Sequence, residues 1–109
     1  MNEQDLIKLG NTLIAKWSLT GTGWKVVINR RLRSTEARCV RATRTIELNP
    51  RCWEMDDPEQ TILHEIAHAI HFERIKDLTD LRPSEEESHG KMWQTISAEI
   101  GYLVPDYYL

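Results

Sequence analysis

Cysteine is scarce in this chain, and its placement excludes two common architectures. Cys39 and Cys52 stand thirteen positions apart and form no C-x-x-C. Such a pair supplies neither the disulfide framework of a small secreted domain nor the paired thiolates of a zinc ribbon. Both are expected to act as small buried hydrophobes. Long apolar runs are missing as well. No stretch approaches the roughly 20 residues that span a bilayer, and the opening Met1-Asn2-Glu3-Gln4-Asp5 is acidic where a secretory leader would be basic. The expectation is a soluble cytoplasmic protein with no membrane partner. Repeats, low-complexity tracts and linkers are also lacking, and 109 residues suit one domain, taken as 1–109, rather than two.

Net charge is small, −3, but unevenly spread. Residues 1–51 hold ten basic side chains against four acidic ones, and residues 52–109 hold four against thirteen. Such asymmetry marks either a polyanion-facing surface or two parts of one fold that attract each other. If nucleic acid is a partner, the candidate contacts are Arg30, Arg31, Arg33, Arg38, Arg41 and Arg44. The overall pI near 5.8 argues against a dedicated binder.

Periodicity gives an α+β order. Asn2 can cap a first helix with Glu3 and Asp5 in its first turn. Leu6, Leu9, Leu13 and Trp17 form its buried stripe, and Thr20-Gly21-Thr22-Gly23 stops it. Trp24, Val26 and Ile28 alternate with polar residues as a strand does, residues 37–42 form a weaker second strand, and Thr45-Ile46-Glu47-Leu48 a third. The reading is a small, mainly antiparallel three-stranded sheet. Asp57 as N-cap and Pro58 at the first helical position announce a second helix running to about Asp77. A third is expected from near Ser84 or Ser88 to about Ile100, stopped by Gly101 and Pro105.

The second helix carries the chemistry. His64-Glu65-Ile66-Ala67-His68 is an H-E-x-x-H motif. At about 100° per residue the two imidazoles lie roughly 40° apart and one turn along, close enough to share a zinc ion. Glu65 borders the same face, where it reaches a water without being a ligand. Ile62, Leu63, Ile66, Ala67, Ala69 and Ile70 fall on the opposite side, against the sheet.

A catalytic zinc ion needs a third protein ligand and one open position. His89, at the head of the third helix, is the candidate, and Gly90 beside it allows close backbone approach. His71 shares the face but stands about 10 Å from His64 along the axis. Glu85, Glu86 or Glu87 could offer a carboxylate instead. A closed site of His64, His68, Cys39 and Cys52 would leave Glu65 without a role. With three imidazoles, Glu65 serves as general base toward water and then protonates a leaving nitrogen. Tyr102, Tyr107, Tyr108 or a sheet arginine are candidates to help stabilise the oxyanion, and Trp53 or Trp93, if exposed, could line a groove.

The strand ending Thr45-Ile46-Glu47-Leu48, the short connection, His64-Glu65-Ile66-Ala67-His68 and then His89-Gly90-x-x-Trp93 together resemble the SprT-like metallopeptidases, the Spartan protease group. The likeness extends over roughly residues 1–105. It implies a gluzincin-like minimal core, zinc on His64, His68 and His89, catalysis by Glu65, and protein or peptide substrates, including proteins on DNA. Two departures stand out: residues 83–88 look inserted, and residues 1–109 contain no zinc-ribbon segment.

Overall fold

Local capping decides where the first helix begins. In the computed structural model, which describes residues 1–76 and 89–108, α1 runs Glu3–Lys16. The Asn2 side chain accepts from the Asp5 amide at 2.8 Å, and Asp5 accepts from the Asn2 amide at 3.1 Å. This reciprocal pair satisfies two of the orphan donors of the first turn. The helix stops before the expected Thr20–Gly23 signal. Ser18 takes a left-handed φ of 62°, and the Leu19 amide reaches back to the Ile14 carbonyl at 3.0 Å. That bond satisfies a last-turn carbonyl and turns Leu19 into the core.

Three strands follow: β1 Lys25–Ile28, β2 Ala37–Val40 and β3 Thr45–Leu48. Their order is β1-β3-β2, with β1 parallel to β3 and β2 antiparallel to it. The sheet is therefore mixed, which corrects the mainly antiparallel expectation. The reason lies in the connections. Residues 29–36 are too many for a tight hairpin and enough to cross the width of an intervening strand, roughly 10 Å. The 3₁₀ turn Arg41–Thr43, with Arg44 at φ 47°, is short enough to fold β3 directly back on β2. β3 takes the central slot, where Ile46 and Leu48 are fully buried.

A short helix that periodicity does not announce, α2 Cys52–Met55, follows the sheet. Asn49 prepares it. Its buried amide donates to the carbonyls of Arg33 and Thr35 at 3.2 and 3.1 Å, and its oxygen accepts from the Arg51 amide at 2.9 Å. The side chain thus ties the long β1–β2 connection to the start of α2.

Helix α3, Pro58–Ile75, begins where Asp57 and Pro58 predict, with the Asp57 carboxylate accepting from the Glu59 amide. Ile62, Leu63, Ile66, Ala67 and Ala69 are buried and Ile70 half-buried. The helix packs on α1 and the sheet on one side and on α4, Lys91–Ile100, on the other. Helix α4 buries Trp93, Ile96, Ser97 and Ile100 at helical spacing and ends at Gly101, φ 81°. The expected end of the second helix at Asp77, the start of the third near Ser84 or Ser88, the insertion at 83–88 and the rival ligands Glu85, Glu86 and Glu87 lie outside the described residues. No helix among the described residues is long and apolar enough to cross a membrane.

Two features fix α3 against its neighbours. Near its C-terminal end, Glu73 accepts from Trp24 Nε1 and Arg44 Nε, both at 2.8 Å, and pairs with Lys76 Nζ at 2.6 Å. Burial would raise this carboxyl, but the three donors outweigh it and bring its pKa down to about 2. Across the layer, α1 approaches β1 at Gly10, where an added Cβ would stand 2.8 Å from Val26 Cγ2. Val26 is buried and stiff about χ1. Gly10→Ala is accordingly expected to destabilise by about 1–3 kcal/mol through overpacking, despite a gain in helix propensity of about 1 kcal/mol. A denaturant midpoint at or above that of the parent chain would show that the layers can separate freely.

Candidate metal centre

Consecutive turns of α3 present His64 and His68 to one side, and the chain returns at His89, immediately before α4. His68 Nε2 lies 3.3 Å from His64 Nε2 and 3.1 Å from His89 Nε2. Among the described residues this is the one group of three or more ligating side chains brought together, its donor atoms all within 4.8 Å of one another. A tetrahedral ion with arms of about 2.0–2.1 Å places its ligands about 3.3 Å apart, so the spacing suits zinc. The donor chemistry agrees. His68 Nε2 faces two other ring nitrogens, and one proton can satisfy only one of those contacts, whereas a cation at the centre satisfies all three.

The imidazoles are held neutral, which is the ligating form. Burial, then the neighbouring His89, brings the His64 pKa down to about 4. Burial, then His64 and His89, takes His68 to about 2, and burial lowers His89. Trp93 forms the wall beneath them. It is fully buried, with ring centroids 5.1 Å from His64, 5.3 Å from His68 and 4.7 Å from His89. Trp93 is thus a core residue rather than an exposed groove lining; Trp53 is half-buried.

Glu65 stands beside the cluster and outside the set of donors, its carboxylate 3.9 Å from His64 Nε2. Burial, reinforced by the charge of Glu36, pushes its pKa up to about 8. A divalent cation among the three rings would draw it back toward the ionised form. Glu65 opens on a cleft of about 320 Å³ shared with Glu36, Thr61, His64, Tyr102 and Tyr108. A larger, shallow groove of about 710 Å³ along Ile7, Lys8 and Asn11 contains none of the three histidines.

The rival ligands fare differently. His71 is buried outside the cluster, with no hydrogen-bond partner at Nδ1 among the described residues. Cys39 and Cys52 are free thiols and join no ligand group. Burial, and secondarily Glu65, pushes Cys39 up to about 12, so it is an unreactive thiol.

The six arginines are not one free surface. Arg30 pairs with Glu3, Arg38 with Glu47, and Arg44 with Glu73, its guanidinium also 5.7 Å above the Phe72 ring. Arg41 is half-buried, and Arg31 and Arg33 are exposed on the connection leading to β2.

Two contributions lie beyond the reach of periodicity. Glu36, at the end of a polar loop, enters the cleft because the Asn49 amide donates to its carbonyl and extends the β2–β3 ladder by one step. Its carboxylate then accepts from Thr61 Oγ1 at 3.2 Å. Tyr102 comes in from beyond α4, its hydroxyl 3.0 Å from His64 Nδ1, and the Tyr108 ring stacks on His89 at 4.4 Å. Tyr107 is largely exposed. Only the presence of three tyrosines after α4 signalled that this segment could matter.

No match was found among curated proteins or among solved structures. The model of the SprT-like family matches residues 4–108, from the first turn of α1 to the tyrosine stacked on His89. With nearly its whole length matched, the chain belongs to the SprT-like family.

Proposed function

We propose that this chain is a zinc-dependent metalloendopeptidase in which His64, His68 and His89 hold the ion and Glu65 is the general base. The observation that carries the reading is the convergence of three neutral imidazoles with a carboxylate beside them that is not a donor. Zinc held by these three uncharged ligands would supply Lewis acidity and lower the pKa of a nearby water toward 7. Glu65 takes a proton from water and delivers it to the leaving nitrogen. The position of β2 supports a peptide substrate. Among the described residues it pairs only with β3, leaving its other edge without a strand partner there, and Ala37 at its start lines the cleft. An extended peptide added along that edge would pass Glu65.

Metal removal tests this reading. Purified protein is expected to carry roughly one zinc ion per chain, and to cleave an unfolded protein until a chelator strips the metal. Added zinc should restore cleavage. A zinc-loaded chain inert toward unfolded proteins would count against the peptidase. A second reading, a non-catalytic module that binds DNA or a protein partner, draws on the exposed Arg31 and Arg33 in the connection that leads to Ser34 at the cleft. It predicts salt-dependent DNA binding that survives loss of His64. Proteolysis of DNA-associated proteins would join the two.

A further inference from the structure

A ligating histidine must present the correct nitrogen, and a neutral imidazole carries one proton that can sit on either. If that proton sat on His64 Nε2, it would point toward His68 and obstruct the centre. The ring's other nitrogen, Nδ1, is 3.0 Å from the Tyr102 hydroxyl. Tyr102 is itself held from both sides. Gln60, one turn before His64 on α3, donates to the Gly101 carbonyl at 3.3 Å and accepts from the Leu103 amide at 2.8 Å. The Tyr102 amide donates to the Ser97 carbonyl at 2.9 Å, after Gly101 has turned the chain at φ 81°. The phenol edge packs on His64 and Trp93, centroids 5.2 and 5.8 Å away.

We propose that Tyr102 is a positioning residue of the metal centre: its hydroxyl accepts the His64 Nδ1–H, keeping Nε2 unprotonated and aimed at His68 and His89, while Gln60 locks Tyr102 in place. The inference rests on the reading above only in taking the three histidines as ligands. Outer hydrogen bonds of this kind fix the tautomer and ring orientation and raise ligand basicity. The Gln60 clamp makes the arrangement specific, because it holds the backbone on both sides of the tyrosine from the same helix that carries His64. Gln94 acts in parallel on the third ligand. It donates to the carbonyls of both His89 and Tyr108 at 3.1 Å, seating the Tyr108 ring against His89.

Zinc affinity of the full chain, measured by competition with a chromogenic chelator, tests the proposal. Tyr102→Phe keeps the ring and is expected to weaken zinc binding roughly 10- to 100-fold. Gln60→Ala keeps the hydroxyl but frees its flanks, and is expected to weaken binding by a smaller factor. It decides the matter if Tyr102→Phe fails to fold. The visible spectrum of the Co²⁺-loaded protein, which reports ligand geometry, should also move in Tyr102→Phe. A merely structural tyrosine would lower the thermal stability of the metal-free protein and leave that spectrum in place. Zinc affinity within about twofold of the parent in both variants overturns the proposal. Unchanged affinity with reduced turnover overturns it too, and assigns the hydroxyl to the reaction instead. The affinity and spectral measurements involve no substrate, and lost turnover presupposes a working parent enzyme, so those outcomes leave the peptidase standing. A parent chain that binds zinc but cleaves nothing would sink the peptidase and leave the brace.

Discussion

Glu65→Gln is expected to lower kcat/KM on an unfolded protein by about 10²- to 10⁴-fold while zinc stays bound. The amide matches the carboxylate in shape but cannot accept and return a proton. Glu65 is outside the set of donors, so its replacement leaves three imidazoles in place. Its surroundings make the change gentle on the fold. The side chain is buried and already disfavours its charged form without a metal, so a neutral amide costs little there. Activity and stability should therefore separate: cleavage lost, thermal midpoint and zinc content kept. Retained cleavage, with the substitution verified, would remove Glu65 from the chemistry and with it the reading of this site as a hydrolytic one.

Trp93→Ala should produce the largest loss of stability, about 3–5 kcal/mol. Against a total of about 5–15 kcal/mol for a domain of this kind, that is a large fraction. Trp93 is fully buried, and its indole nitrogen has no hydrogen-bond partner among the described residues, so the loss comes from volume and contact rather than from a broken polar bond. The cavity would open under all three histidine rings, so zinc affinity should fall together with the denaturant midpoint. Trp93→Phe refills much of the space and should recover most of both. Stability unchanged in Trp93→Ala would mean that α4 repacks and that the indole does not support the site.

What could be read from the residues divides along a physical line. Asn2, Asp57 and Pro58 act within three or four residues of themselves, and the starts of α1 and α3 fall where they indicate. His64 and His68 are related by the geometry of one helix, so their meeting follows from spacing. β3 was legible because Ile46 and Leu48 alternate with polar residues, and both are buried. Strand order was not. It depends on which of two connections can close tightly, and an α1 Schellman turn built on Ser18 likewise overrode a glycine signal a few residues later. Glu36 and Tyr102 reach the site through a ladder extension and a paired-amide clamp, contacts between segments far apart in the chain. His89 stands between these cases: its chemistry singled it out, but only tertiary packing brings its ring to 3.1 Å from His68.

The anchoring of α3 has a bearing on how an ion could come and go. Gln60 and Thr61 tether the rod near its first turn and Glu73 tethers it near its last. Two of the three donors are thus mounted on a post fixed at top and bottom, and the remaining one arrives on a different piece of chain. An ion seated there would bridge the two pieces, so a shift of α4 away from the post, rather than any bending of the post itself, would loosen its hold.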